Sequence, residues 1–116
     1  MREASTPAKA RKTSCWILCA GKRTAVEPGE TVIGRDPDVD VFVDDPSVSR
    51  RHARILVTET GATLEDLGSK NGTFLEDRRI AAPAPLKDQA RVRVGTVPIT
   101  FRMFASPYST QTAVDS

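Results

Sequence analysis

A chain of 116 residues, 39% hydrophobic but only 5% aromatic, has the length of one domain and can bury a single core without metal or disulfide staples. No apolar run approaches the roughly 20 residues that a membrane helix needs, so a soluble protein is expected. The formal charge of +2 gathers at the N-terminus, where Arg2, Lys9, Arg11 and Lys12 face only Glu3; the remainder holds 13 basic and 14 acidic residues, which argues against a general nucleic-acid binder, because phosphate-backbone affinity rests on many lysine and arginine contacts.

In chain order, residues 1–13 show neither strand nor helix periodicity and are expected to form a flexible basic leader. They lack the apolar stretch of a secretory signal, so a cytoplasmic location is expected. "SCWILCA" is the first predicted strand. Its Cys15 and Cys19 stand four residues apart, about 13 Å along a strand, which is too far for a disulfide. Two free thiols are expected, as in a reducing compartment, and a chain with one histidine offers no Cys/His set for zinc. Each cysteine reads as a small buried hydrophobe.

Further short β-branched segments follow, each ended by turn formers. "TAV" stops at "EPGE", "TVIG" at "RDPDVD", "VFV" at "DDPS", "ARILV" at "TETG" and "ATLEDL" at "GSKNG". "TFLEDRRI" reads as one strand ending at "AAPAP", and "ARVRVG" and "VPITFRMF" complete roughly nine strands. Alternation of apolar and polar residues is clearest in "ARVRV" and "ITFRMF". The pair Asn71-Gly72 is the strongest short hairpin signal. No stretch keeps helical spacing over three turns. The expected fold is all-β, a β-sandwich of two antiparallel or mixed sheets over residues 14–105, with its ligand loops at one edge and a flexible tail over residues 106–116.

The polar chemistry lies between strands, in "GRDPD" (34–38), "SVSRRH" (47–52) and "GSKNGT" (68–73). Loops at one edge of a sandwich converge even when distant in sequence. Together these three would collect Arg35, Ser49, Arg50, Ser69, Lys70 and Asn71 into a cationic patch rimmed with hydroxyl and amide donors. Guanidinium forks bind phosphate oxygens bidentately and hydroxyls take further lone pairs. A phosphorylated side chain, with about −1.5 to −2 charges and three acceptor oxygens, suits such a patch.

"VIGR", "SVSRRHARI" and "DLGSKNGTFL", in that order and spacing, resemble the forkhead-associated (FHA) family of phosphothreonine-binding modules over roughly Ser14 to Phe104. The resemblance implies that Arg35 contacts the phosphate and Ser49 hydrogen-bonds it, and that Arg50 adds a phosphate or peptide contact. It places Lys70 in the phosphate pocket with help from Ser69, and gives Asn71 the ligand main chain. Gly34, His52 and Gly72 fall at positions that shape the loops, with His52 bracing the Ser49 loop. No catalytic residue, metal or cofactor is implied. The implied partner is a phosphothreonine protein or peptide, supplied by a Ser/Thr kinase or its substrate, with no membrane and no direct nucleic-acid contact by this domain. Preference for phosphothreonine over phosphoserine implies a niche for the γ-methyl, worth about 0.8 kcal/mol or roughly fourfold.

Competing readings are a solvated ion pair of Arg35 with Asp36 and Asp38, a Ser49–His52 nucleophile and base, and a phosphate-cradling nucleotide loop at "GSKNGT", which lacks the required spacing and following helix. The alternatives for function are a phospho-independent interaction sandwich and a regulatory fragment of a larger transcriptional or signalling protein. Arg51 and Arg54 are expected to face solvent or acidic neighbours. Thr112, three residues ahead of Asp115, is a conceivable self-ligand.

Overall fold

The computed structural model describes residues 13–105. Thr112 and all of the leader and tail beyond Thr13 and Ala105 lie outside the described residues. Eleven strands and no helix make up the described part. They are β1 (Thr13–Cys19), β2 (Lys22–Val26), β3 (Gly29–Gly34), β4 (Val41–Phe42), β5 (Ala53–Thr58), β6 (Gly61–Asp66), β7 (Thr73–Leu75), β8 (Arg78–Arg79), β9 (Ala84–Leu86), β10 (Ala90–Val94) and β11 (Val97–Ala105).

Two sheets form the sandwich, ordered β2-β1-β11-β10-β7-β8 and β4-β3-β5-β6-β9. All described pairings are antiparallel except β3 with β4, which makes the second sheet mixed. Alternation decides which face packs. In β5 the odd positions Ala53, Ile55 and Val57 are buried, while Leu56 and Thr58 are exposed. β10 buries Ala90, Val92 and Val94. The two inner faces meet around Ile17, Ile33, Ile55, Leu64, Ile99 and Phe101, all at most 2% exposed. Full burial of each such side chain contributes about 1.5–3 kcal/mol.

Cys15 and Cys19 share the inner side of β1 and are free thiols, Cys15 buried and Cys19 half-buried. Burial pushes both thiols above the ordinary cysteine range. Arg54 faces outward between Glu30 and Glu65 and pairs with both, and Arg51 is exposed.

Three sequence expectations need correction. "TFLEDRRI" is a hairpin rather than one strand: β7 and β8 pair through Leu75 and Arg78, with Glu76 and Asp77 at φ +50° and +67°. The turn lacks glycine and is held from outside, because the Glu76 carboxylate accepts the Arg91 amide at 2.8 Å and its Nε at 3.1 Å. "AAPAP" does not simply end a strand, because β9 pairs with β6 there. Pro85 is tolerated because β9 is the sheet's edge. Asn71-Gly72 closes no hairpin, since β6 and β7 belong to different sheets. Gly72 alone is left-handed, at φ +92°.

The β3–β4, β4–β5 and β6–β7 connections gather at one end of the sandwich. The β10–β11 turn joins them: the Gly95 amide donates to the Gly72 carbonyl at 3.0 Å and the Thr96 amide to Ser47 Oγ at 3.0 Å. From that end β11 runs away from the rim, and its last residue, Ala105, pairs with Thr13 of β1 at the opposite pole.

Candidate functional site: the loop rim

β3 ends at Gly34, and the Arg50–Arg51 backbone lies directly against it. A Cβ on Gly34 would stand 1.9 Å from the Arg50 carbonyl oxygen and 2.7 Å from its carbon. Close approach, rather than an unusual φ, is what requires glycine here. The contact is zipped by main-chain bonds from the Arg35 amide to Ser49 O (2.9 Å), Asp36 to Arg50 O (3.2 Å) and His52 to Ile33 O (2.8 Å). The segment carrying Ser49 is thereby locked beside the one carrying Arg35.

Arg35 is exposed, and its Nε donates to Val48 O at 3.0 Å. That bond steadies the guanidinium while its two terminal nitrogens have no hydrogen-bond partner among the described residues. Arg35 forms no ion pair there either, and Asp36 instead accepts the Asp38 amide at 2.9 Å. An arginine held at its base with its fork open is poised for an oxygen-rich anion.

His52 is fully buried. Its Nδ1 accepts the Ser49 amide at 3.0 Å, so the ring proton resides on Nε2, which donates to the Gly72 carbonyl at 2.8 Å. One ring therefore braces the β4–β5 loop against the β6–β7 loop. Both nitrogens are committed to main chain, which leaves Ser49 no base on the imidazole. The Ser49 hydroxyl instead accepts the Lys70 amide at 3.1 Å, and its own proton has no acceptor among the described residues.

Asp66, at the end of β6, organises the third loop. It accepts the Gly68 and Ser69 amides at 3.0 Å each, the Ser69 hydroxyl at 2.5 Å and the Thr73 hydroxyl at 2.6 Å. Burial opposes the carboxylate's charge, but the hydroxyls of Ser69 and Thr73 and the two amides outweigh it and hold the carboxyl below the ordinary range. Ser69 Oγ also accepts the Gly72 amide at 2.9 Å. The Ser69 proton thus points into its own loop, unlike the outward donor expected from sequence.

Asn71 is exposed and its Nδ2 donates to Ser47 O at 2.8 Å, tying the rim across its third side, while Oδ1 has no hydrogen-bond partner among the described residues. Ser47 accepts the Thr96 amide and donates to Asp45 at 2.7 Å. The Asp45 carboxyl is held low by the Ser47 amide and then by its hydroxyl. These bonds place Arg35, Ser49, Lys70 and Asn71 on one rim, with Arg50 exposed beside Ser49. Gly34 and His52 lie directly beneath it, and Gly72 links it to the β10–β11 turn.

Asp66, Ser47 and the Gly95–Thr96 turn were not found from sequence. An aspartate two residues ahead of "GS" or of Ser47 is an Asx-turn signal; Gly95–Thr96 gave none.

The sequence model of the FHA domain matches residues 31–95. The glycogen accumulation regulator GarA of Mycobacterium tuberculosis is 37% identical over 82 residues, which are 71% of this chain and 50% of GarA. The chain thus spans about half the length of that relative. Among solved structures, an FHA domain studied for phosphothreonine-dependent interactions superposes with TM-score 0.75 at 31% identity, covering 78% of this chain and 97% of that one. Mycobacterium tuberculosis EmbR, solved with a low-affinity phosphopeptide, superposes with TM-score 0.75 at 30% identity over 80% of this chain and 25% of its own. Sandwich, rim and motif spacing agree with these matches, and this chain belongs to the FHA domain family.

Proposed function

We propose that the rim binds phosphothreonine-containing segments of protein partners, making this chain a non-enzymatic reader in Ser/Thr kinase signalling. The carrying observation is Arg35, held by Val48 O with its terminal nitrogens open, beside a Ser49 hydroxyl whose position is set by the Lys70 amide. Arg35 takes two phosphate oxygens, the Ser49 proton a third, and the exposed Lys70 and Arg50 supply further positive charge. Asn71 Oδ1 accepts from the ligand main chain. Ser69 acts by shaping the loop. The folded unit is residues 14–105, and its place of action is the cytoplasm, where the kinase or its substrate is the partner. FHA relatives that act in phosphothreonine-dependent interactions or hold a phosphopeptide support this reading.

Calorimetry with phosphothreonine, phosphoserine, aspartate and unmodified versions of one peptide tests it. Charge-assisted bonds contribute about 1.5–3 kcal/mol each, so Arg35→Ala weakens phosphopeptide binding tenfold or more while folding survives. The aspartate peptide, with one charge and two oxygens, does not substitute. Equal binding of modified and unmodified peptide, or an undiminished Arg35→Ala variant, contradicts the assignment.

A further inference from the structure

Beside the rim a cleft of about 420 Å³ opens between Glu65 and Asp66 at the end of β6, Arg79 of β8, and residues 80–83. It touches the rim twice. Asp66 is the hub of the β6–β7 loop, and the Arg79 side chain lies over Gly72, whose added Cβ would meet Arg79 Nε at 2.8 Å. The cleft therefore begins at Arg79 against Gly72, one residue along the chain from Asn71.

Its charged groups are not equivalent. Glu65 is paired with Arg54, and Asp66 receives four hydrogen bonds from its own loop. Arg79 is exposed, and its guanidinium has neither a carboxylate nor a hydrogen-bond acceptor among the described residues. The rest of the wall is apolar: Ile80, Ala81, Ala82 and Pro83. One open guanidinium above an aliphatic wall fits a carboxylate on a short apolar stem.

We propose that this cleft is a second subsite, in which Arg79 selects an aspartate or glutamate side chain flanking the phosphothreonine of the ligand. The inference rests on the rim being the phosphothreonine site. Its carboxylate lies on the Arg79 fork and its stem against residues 80–83. The phosphate sets whether a segment binds, and Arg79 sets which phosphorylated segments bind best.

The test is an oriented peptide library with fixed phosphothreonine, followed by calorimetry of the full chain and its Arg79→Gln and Arg79→Glu variants. The peptides carry glutamate or glutamine at the selected position. Enrichment of acidic residues at one flanking position is expected. Arg79→Gln weakens the glutamate peptide about tenfold, as for loss of one charge-assisted contact, and leaves the glutamine peptide unchanged. Arg79→Glu shifts the preference to lysine or arginine. A library without acidic preference, a preference that survives Arg79→Gln, or equal weakening of both peptides overturns the subsite while phosphopeptide binding persists. A library that retains no phosphopeptide at all removes the rim assignment and the subsite with it.

Discussion

Replacing Gly34 by alanine puts a methyl group 1.9 Å from the Arg50 carbonyl oxygen and 2.7 Å from its carbon. Both are backbone atoms, so no side chain can swing away and the Arg50–Arg51 segment must retreat. Overpacking of this kind costs about 1–3 kcal/mol. Retreat also stretches the bonds from the Arg35 amide to Ser49 O and from Asp36 to Arg50 O, each contributing about 0.5–1.5 kcal/mol. A combined loss of about 3 kcal/mol lowers the melting temperature of a domain this size by roughly 12–24 °C. Because the same segment positions Ser49 opposite Arg35, phosphopeptide affinity falls at least tenfold. Gly29→Ala is the control: Gly29 is left-handed at φ +100° with nothing within 4 Å of an added Cβ, and it begins β3 at the far pole. It costs about 1–2 kcal/mol of backbone strain and leaves affinity alone. Thermal unfolding by circular dichroism and calorimetry with a phosphothreonine peptide read both effects. A Gly34→Ala protein that melts and binds like the parent refutes the close approach.

His52→Ala strands the half-buried Ser49 amide, at about 1–3 kcal/mol, and removes one of the two donors to the Gly72 carbonyl, which keeps the Gly95 amide; a lower melting temperature together with weaker phosphopeptide binding is expected, and an unchanged melting temperature contradicts the brace. Asp66 has a folded-state pKa below its unfolded value, so its contribution to stability is complete above the ordinary carboxylate pKa of about 3.9 and is lost as pH falls through the lowered value. The melting-temperature gap between parent and Asp66→Asn is therefore widest near neutrality and closes in acid; a gap constant from pH 7 to pH 2 is the opposing result.

Residues whose signal is local were legible in the sequence. Alternation in "ARVRV" gave β10 and its buried face, and the polar run "SVSRRH" between apolar segments marked the loop that carries Ser49 and His52. Less visible were features made by partners distant in the chain. The Glu76–Asp77 turn depends on Arg91, fifteen residues away from Glu76, so nothing within "LEDRR" announces it. β9 is a strand because β6 lies beside it, despite a proline that argues otherwise. The role of Gly34 is set by the backbone of residues 50 and 51, and Ser69 could not be told from an outward-facing donor until Asp66 was seen to hold its proton. The Asn71-Gly72 signal was real as a turn, yet the chain spends it on crossing between sheets.

The pairing of Thr13 with Ala105 at the pole away from the rim also governs how the unit can be joined to other polypeptide. From Val97 to Ala105 the last strand covers about 26 Å, so Thr13 and Ala105 stand side by side roughly that far from the Val97 end of β11. A protein cut to Thr13–Ala105 and fused at either end would thus be attached at the pole away from the Arg35 and Ser49 loops, much as a plug is wired from behind.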